Sequence, residues 1–180
     1  VAEEPGSLMA TIKLDVGRRD GVAEGMAVAN DRGLVGQVIG TTDHWSTVRL
    51  VTDPSSQVWA RIQRSGATGM VMGSTTGELV MRYIPQDQQG EVPNVQVGDI
   101  VVTSGLSERF PPMIVIGQVT AVHQTDAQTH QEVVVRPTVN FNALEHVLVV
   151  HRWRSGPAES SALPGPDQTI EQTAGSAGNG

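Results

Sequence analysis

Ser104, His44 and an aspartate, Asp87 or Asp99, are the residues of this 180-residue chain whose types could carry acyl-transfer chemistry. Along the chain they fall in the order His, Asp, Ser. Such a set works when the imidazole takes the serine proton and the carboxylate orients the ring. A nucleophilic serine also needs backbone N–H groups preorganised around an oxyanion, and the Gly-Asp-Ser-Gly neighbourhood expected to supply them is absent. Thr103-Ser104 instead closes an apolar run, where a polar pair satisfies turn hydrogen bonds. The five histidines, at 44, 123, 130, 146 and 151, share no spacing of the kind zinc sites use. His123 and His130 flank one loop and are expected to be solvated there. With no cysteine, neither a thiolate metal site nor a disulfide framework is available. Gly66-Ala-Thr-Gly69 lacks the Lys-Ser/Thr pair of a phosphate loop. No cofactor, metal or small-molecule substrate is expected.

The elements that must position these groups are strands. Residues 98–122 run Gly98-Asp99-Ile-Val-Val-Thr103-Ser104-Gly105-Leu106, then Phe110-Pro111-Pro-Met113, then Ile-Gly117-Gln-Val: a strand, a turn, a proline corner and a strand. Residues 25–38 echo it, as Gly25-Met26-Ala-Val-Ala-Asn-Asp-Arg-Gly33-Leu34-Val-Gly36-Gln-Val. Each copy leads through a polar stretch into a β-branched strand, Thr47–Val51 and Glu132–Arg136. Two copies are too few for a solenoid and suggest two small β units on one plan. Asn30-Asp-Arg-Gly33 is a hairpin turn, since Asn, Asp and Gly tolerate left-handed backbone. Gly36 inside its strand predicts a bulge or a close backbone approach.

Leu8–Leu14 alternates as a half-buried strand does. In Gln57–Gln63 the inward positions are Val58, Ala60 and Ile62, so Trp59 falls outward, either onto the neighbouring barrel or toward a partner. Residues 85–97 form a polar loop, and Val147–Val150 is a buried closing strand. No stretch of ten residues has helical period. The expected fold is all-β: two small adjacent β-barrels, partly chymotrypsin-like, with short turns. The expected units are 1–7, the end of a truncated upstream helical segment; 8–65, the first barrel; 66–152, the second, whose last strand is able to return to the first; and 153–180, a disordered tail too polar to offset the entropy of ordering.

Aromatics are 3% and apolar residues 38% of the chain, so the core must be aliphatic. Net charge is −7, which disfavours nucleic acid, since its binding needs a basic footprint. An RNA-binding small barrel, suggested by Gly-Leu-Val-Gly-Gln-Val, would carry Lys, Arg and stacking aromatics around its turns; only Arg32 and Arg109 are near them. No apolar run reaches the ~20 residues that span a bilayer. What remains is a protein-binding scaffold with contact candidates Trp59, the corner Phe110, Pro111 and Met113, and strand edges open to pairing. For Phe110 the residues favour a different place, plugging the barrel or the inter-barrel seam.

The motif Val-Gly98-Asp99-Ile-Val-Val-Thr103-Ser104-Gly105-Leu106, with Phe110-Pro-Pro and Ile-Gly117-Gln-Val, resembles the extracytoplasmic domain of the MreC family, bacterial rod-shape-determining proteins. Asp20-Gly-Val, Gly25-Met26, Gly33-Leu34-Val-Gly36, Val51-Thr-Asp53 and Val147-Leu-Val fit the same pattern over roughly residues 10–150. Met113 and Val115 depart from it, standing where the family more often has Gly and Pro. The resemblance implies a non-enzymatic scaffold of the cell-elongation complex that positions cell-wall synthases. It implies as partners the penicillin-binding transpeptidase of elongation, MreD and, through the membrane, MreB, with self-association into a homodimer or filament. It also implies a periplasmic or extracytoplasmic location, anchored by an N-terminal transmembrane helix outside this sequence. A serine hydrolase with Ser104 as nucleophile is the first alternative and an RNA-binding module the second.

Overall fold

The computed structural model describes Ala2–Glu3 and residues 10–84, 95–107, 109–124 and 131–151. Among these residues twelve strands follow in chain order: β1 (Ala2–Glu3), β2 (Thr11–Leu14), β3 (Ala27–Ala29), β4 (Leu34–Thr41), β5 (Ser46–Leu50), β6 (Gln57–Ile62), β7 (Thr68–Gly73), β8 (Leu79–Ile84), β9 (Ile100–Thr103), β10 (Val115–Gln124), β11 (Gln131–Pro137) and β12 (Leu148–Val150). All pairings are antiparallel. One module is a six-stranded sheet in the order β1-β2-β5-β4-β3-β12, and the other is a closed barrel, β10-β11-β8-β7-β6-β9.

The chain is therefore all-β, as the alternation of its apolar residues requires, with one of the two modules closed. The division between modules differs from the expected one at residue 65. β6 pairs with β7 and β9 of the barrel, so the change of module falls within 51–56. The reason is local: Asp53-Pro54-Ser-Ser breaks the run of strands there, while the turn after Ile62 is only a hairpin. Ala2–Glu3 pairs with Lys13 and Ile12 as a short strand, and the rest of the expected unit 1–7 lies outside the described residues. β12 returns to pair with β3. The expected tail, 153–180, lies outside the described residues.

Val58, Val71, Met81 and Val133 face one another across β6, β7, β8 and β11 inside the barrel, each at most 1% exposed. Burying a side chain of this size stabilises by ~2 kcal/mol. The sheet contributes to that same core. Ala27 and Leu34 pack into the barrel cluster, whereas their neighbours Val28 and Val35 face a second cluster with Ile12, Val38 and Val48. Residues one apart on a strand face opposite ways, so β3 and β4 are covered on both sides. This is what joins the modules.

The link between them is fastened by Asp53. Its carboxylate accepts the Ala10 N–H at 2.7 Å and the Ser55 N–H at 2.8 Å, and the Ser55 hydroxyl donates to it as well. Burial pushes this carboxyl up, but the bonds from Ser55 and Ala10 and the charge of Arg49 prevail and hold it below the usual range. Asp99 is held low first by a two-pronged bond from Arg64, Nε at 2.7 Å and Nη2 at 2.8 Å, and further by the Gln96 N–H, all against burial. A carboxyl with a depressed folded pKa stabilises fully above its unfolded pKa of about 3.9 and loses that contribution as pH falls through the folded value. Thermal melts are thus expected to be level from neutral pH to about pH 5 and to drop steeply below about pH 4. Asp53→Asn is expected to start from a lower melting temperature at pH 7 and to show a shallower acid slope. An unchanged slope would place the acid sensitivity elsewhere.

Candidate interaction surface

The echoed motifs superpose bond for bond. The Gly25 N–H donates to the Val38 carbonyl and the Gly98 N–H to the Val119 carbonyl, both at 2.8 Å, while the Val38 and Val119 N–H groups donate to the Met26 and Asp99 carbonyls at 2.9 Å. The Gln37 and Gln118 side-chain amides donate to the Gly25 and Gly98 carbonyls, each at 3.1 Å. Gln37 stands opposite Arg49, and Gln118 opposite Arg136. Thus β3-β4-β5 and β9-β10-β11 are one unit built twice, flanked alike by β2 and β8. The hairpin β6–β7 closes the second unit, and the first has β12 and β1 at its ends.

Gly36 and Gly117 occupy the same place in each unit. A Cβ there would lie 1.9 Å from the Arg49 carbonyl oxygen and 2.3 Å from that of Arg136. Gly33, at φ 152°, brings the β3–β4 turn against the barrel, where a Cβ would sit 2.3 Å from the Val115 carbonyl oxygen. The Thr138 hydroxyl donates to the Arg32 carbonyl at 2.9 Å across that seam. One correspondence fails. Leu34 is fully buried, but Leu106 is 67% exposed, and the residue paired as Leu34 is paired is Val115, opposite Val102. The second unit has a longer loop in which Gly105-Leu106 sits.

That loop is the proline corner, and Thr103 holds it. Its hydroxyl, fully buried, donates to the Pro111 carbonyl at 2.5 Å and accepts the Ile114 N–H at 2.9 Å. The Met113 N–H donates to the Thr103 carbonyl at 3.0 Å. Phe110 is 4% exposed and packs in the barrel core. It is a plug, and of the four contact candidates it is the one withdrawn from the surface, with partly buried Phe141 packed against the same cluster. Pro111 is half-buried. Met113 is 47% exposed, with the Arg61 guanidinium 3.1 Å from its sulfur.

Met113 also has φ 70°, alone among the described non-glycine residues. A side chain in left-handed backbone costs about 1–2 kcal/mol, and glycine relieves it at some cost in unfolded-chain entropy. Met113→Gly is expected to raise stability by about 1 kcal/mol, read as a higher melting temperature. A fall would show that the Arg61 contact outweighs the strain.

The residues of the hydrolase alternative are scattered. The Ser104 hydroxyl accepts the Leu106 N–H at 3.2 Å, a turn bond, and its own N–H donates to the Trp59 carbonyl at 3.0 Å, extending the β6–β9 pairing. His44 is exposed in the β4–β5 turn of the other module. Asp99 is occupied by Arg64, and Asp87 lies outside the described residues, as does His130. His123 is exposed opposite Glu132. Among the described residues no group of three His, Cys, Asp or Glu could hold a metal, and no helix is long and apolar enough to cross a membrane.

Trp59 is outward and 40% exposed. Sequence reasoning missed its surroundings: Met70 lies directly opposite it, and Met72 two residues on faces the same way. The signal was present, since Gly69-Met-Val-Met-Gly73 is apolar on both faces of its strand.

Fold and site together define a class: twin antiparallel β units fused through a shared core, with side-chain polar groups committed to turns and clamps. The chain matches the family described as "Rod shape-determining protein MreC, barrel core" over residues 1–151. It belongs to the MreC family. It is 32% identical over 157 residues to the cell shape-determining protein MreC of Listeria monocytogenes, an alignment covering 84% of this chain and 52% of that protein. The chain thus spans about half the length of the curated relative. Among solved structures, MreC from Pseudomonas aeruginosa matches with a TM-score of 0.75 at 29% identity, over 83% of this chain and 94% of the other. The major periplasmic domain of the cell shape-determining filament MreC matches at 0.63 and 26%, over 77% and 84%. The fold recurs at 18% identity and TM-score 0.64 in a complex between a penicillin-binding protein, PBP2, and MreC from Helicobacter pylori, over 80% and 87%.

Proposed function

We propose that the chain is the β domain of a non-enzymatic scaffold of the bacterial cell-elongation complex, acting on the extracytoplasmic side of the membrane. It binds the penicillin-binding transpeptidase of elongation and holds it where lateral wall synthesis proceeds. An upstream membrane segment anchors the whole protein and connects it to MreD and MreB, and copies self-associate. The observation that carries the reading is the use made of the polar side chains. Thr103, Asp99, Asp53 and Gln118, which a reactive site would leave free, each fasten a turn or a module junction. Such a body presents rigid surfaces, and rigid preorganised surfaces suit binding. The family match and the PBP2–MreC complex of a relative point to which partner.

The test is direct binding of the purified chain to its organism's own elongation transpeptidase. Saturable association, unchanged by Ser104→Ala, is the expected result. Hydrolysis of ester or peptide probes that Ser104→Ala abolishes would overturn it in favour of the hydrolase alternative.

A further inference from the structure

The outside of a small barrel is ordinarily polar, and here several neighbouring strands depart from that together. Gln57, Met72, Val80 and Val134 stand opposite one another across β6, β7, β8 and β11, and Ala121 of β10 continues the row. The residue after each of Gln57 and Val80, and the one before each of Met72 and Val134, is buried in the barrel. Alternation therefore turns the row outward. One step along, Trp59 and Met70 face each other on the same side. Met70, Met72, Val80 and Val134 are all partly exposed, and Trp59 is 40% exposed. A surface of Trp, Met and Val that no described element covers has the composition of an interface centre, and methionine adapts to irregular partners.

Its rim is basic on balance, with exposed Glu78 at the head of β8 as one carboxylate. Arg61, Arg82 and Arg136 stand on the outer face of β6, β8 and β11 with Glu132 as the one carboxylate on those strands among the described residues. Glu132 pairs with Arg82 at 2.8 Å. Arg61 and Arg136 remain without a carboxylate partner among the described residues. The chain as a whole carries −7, so a basic rim here runs against its overall charge. A second copy docking by the same face would bring two net-basic rims together, because a two-fold contact pairs a patch with itself.

We propose that this face of the closed barrel, centred on Trp59, Met70 and Met72, is the docking surface for the penicillin-binding transpeptidase proposed above, on a partner surface with an apolar centre and a carboxylate rim. The inference rests on that reading of the partner. Apolar contact supplies the affinity, and the arginines speed encounter and fix orientation.

The experiment is surface plasmon resonance of the full 180-residue chain on immobilised transpeptidase, with circular dichroism melts to confirm that each variant folds. Trp59→Glu and Met72→Glu are each expected to weaken binding about tenfold or more. Arg61→Glu, at a half-buried position on the outer face of β6, is expected to slow association and to flatten its salt dependence. Leu148→Glu, 70% exposed on β12, serves as the control and should bind within about twofold of the unaltered chain. Should Met72→Glu fail to fold, Trp59→Glu and Arg61→Glu carry the test. Binding by the unaltered chain that Trp59→Glu and Arg61→Glu both leave within about twofold would overturn the inference. So would variants that lose only self-association in sedimentation, which would make the face a contact between copies. Absence of binding by the unaltered chain would instead overturn the choice of partner.

Discussion

Gly36→Ala and Gly117→Ala are each expected to lower stability by about 3 kcal/mol or more, a fall of about 10 °C in melting temperature for a chain of this size. A methyl group at either place would overlap a backbone carbonyl oxygen, of Arg49 at 1.9 Å and of Arg136 at 2.3 Å. A flexible side chain could swing aside. These carbonyls cannot, because each belongs to a strand held in register by the β4–β5 or β10–β11 ladder. The same change at Gly40, also in β4, meets nothing within 4 Å and is expected to shift stability by less than about 1 kcal/mol. Three melts decide the matter. Equal losses at 36 and 117 with little at 40 support the paired-unit account, and a loss at one alone would show that the two units are packed differently despite their shared hydrogen bonds.

Thr103→Val is the second large effect. Valine keeps the shape and the β-branch and removes the hydroxyl that bridges the Pro111 carbonyl and the Ile114 N–H. Both groups then remain near a fully buried position with their partner gone, and each unsatisfied group costs about 1–3 kcal/mol. A loss of about 3 kcal/mol is expected. Thr103→Ser, which keeps the hydroxyl, should lose about 1 kcal/mol for the missing methyl. Because the corner carries Phe110 into the barrel core, Thr103→Val is also expected to expose that ring and raise dye binding. A Thr103→Val protein as stable as the original would mean that the corner is held by Phe110 packing and not by the hydroxyl clamp.

Much of the architecture was readable because period and punctuation agree. Val58, Ala60 and Ile62 alternate with Gln57, Trp59 and Arg61, and the strand is there with those faces. The echo of Gly-Gln-Val was also legible, since a strand bend that admits no Cβ leaves glycine as its mark. The module boundary was not. Whether Gln57–Ile62 pairs forward with β7 or back with β5 depends on long-range register, which alternation does not encode. Leu106 was misplaced for a related reason: Gly-Leu recurs in both copies, but only pairing shows that Val115 fills the place of Leu34. The use of Asp99 was hidden too, because its partner Arg64 stands 35 positions away and nothing local links them. The corner was legible, and the Phe110 ring lies in the barrel, the place favoured for it over the surface. Phe110-Pro-Pro marks a bend, and the space that takes the ring is one that only the folded chain defines.

The central claim is that this chain works by being held and not by reacting. Affinity capture of the full-length protein from solubilised membranes, with the recovered proteins identified by mass spectrometry, tests that claim most directly. The account predicts enrichment of the elongation transpeptidase, lost when Trp59 and Met72 are both changed to Glu and retained with Ser104→Ala. Enrichment of no wall-synthesis protein, in a preparation whose folded state is confirmed by its melt, would contradict it.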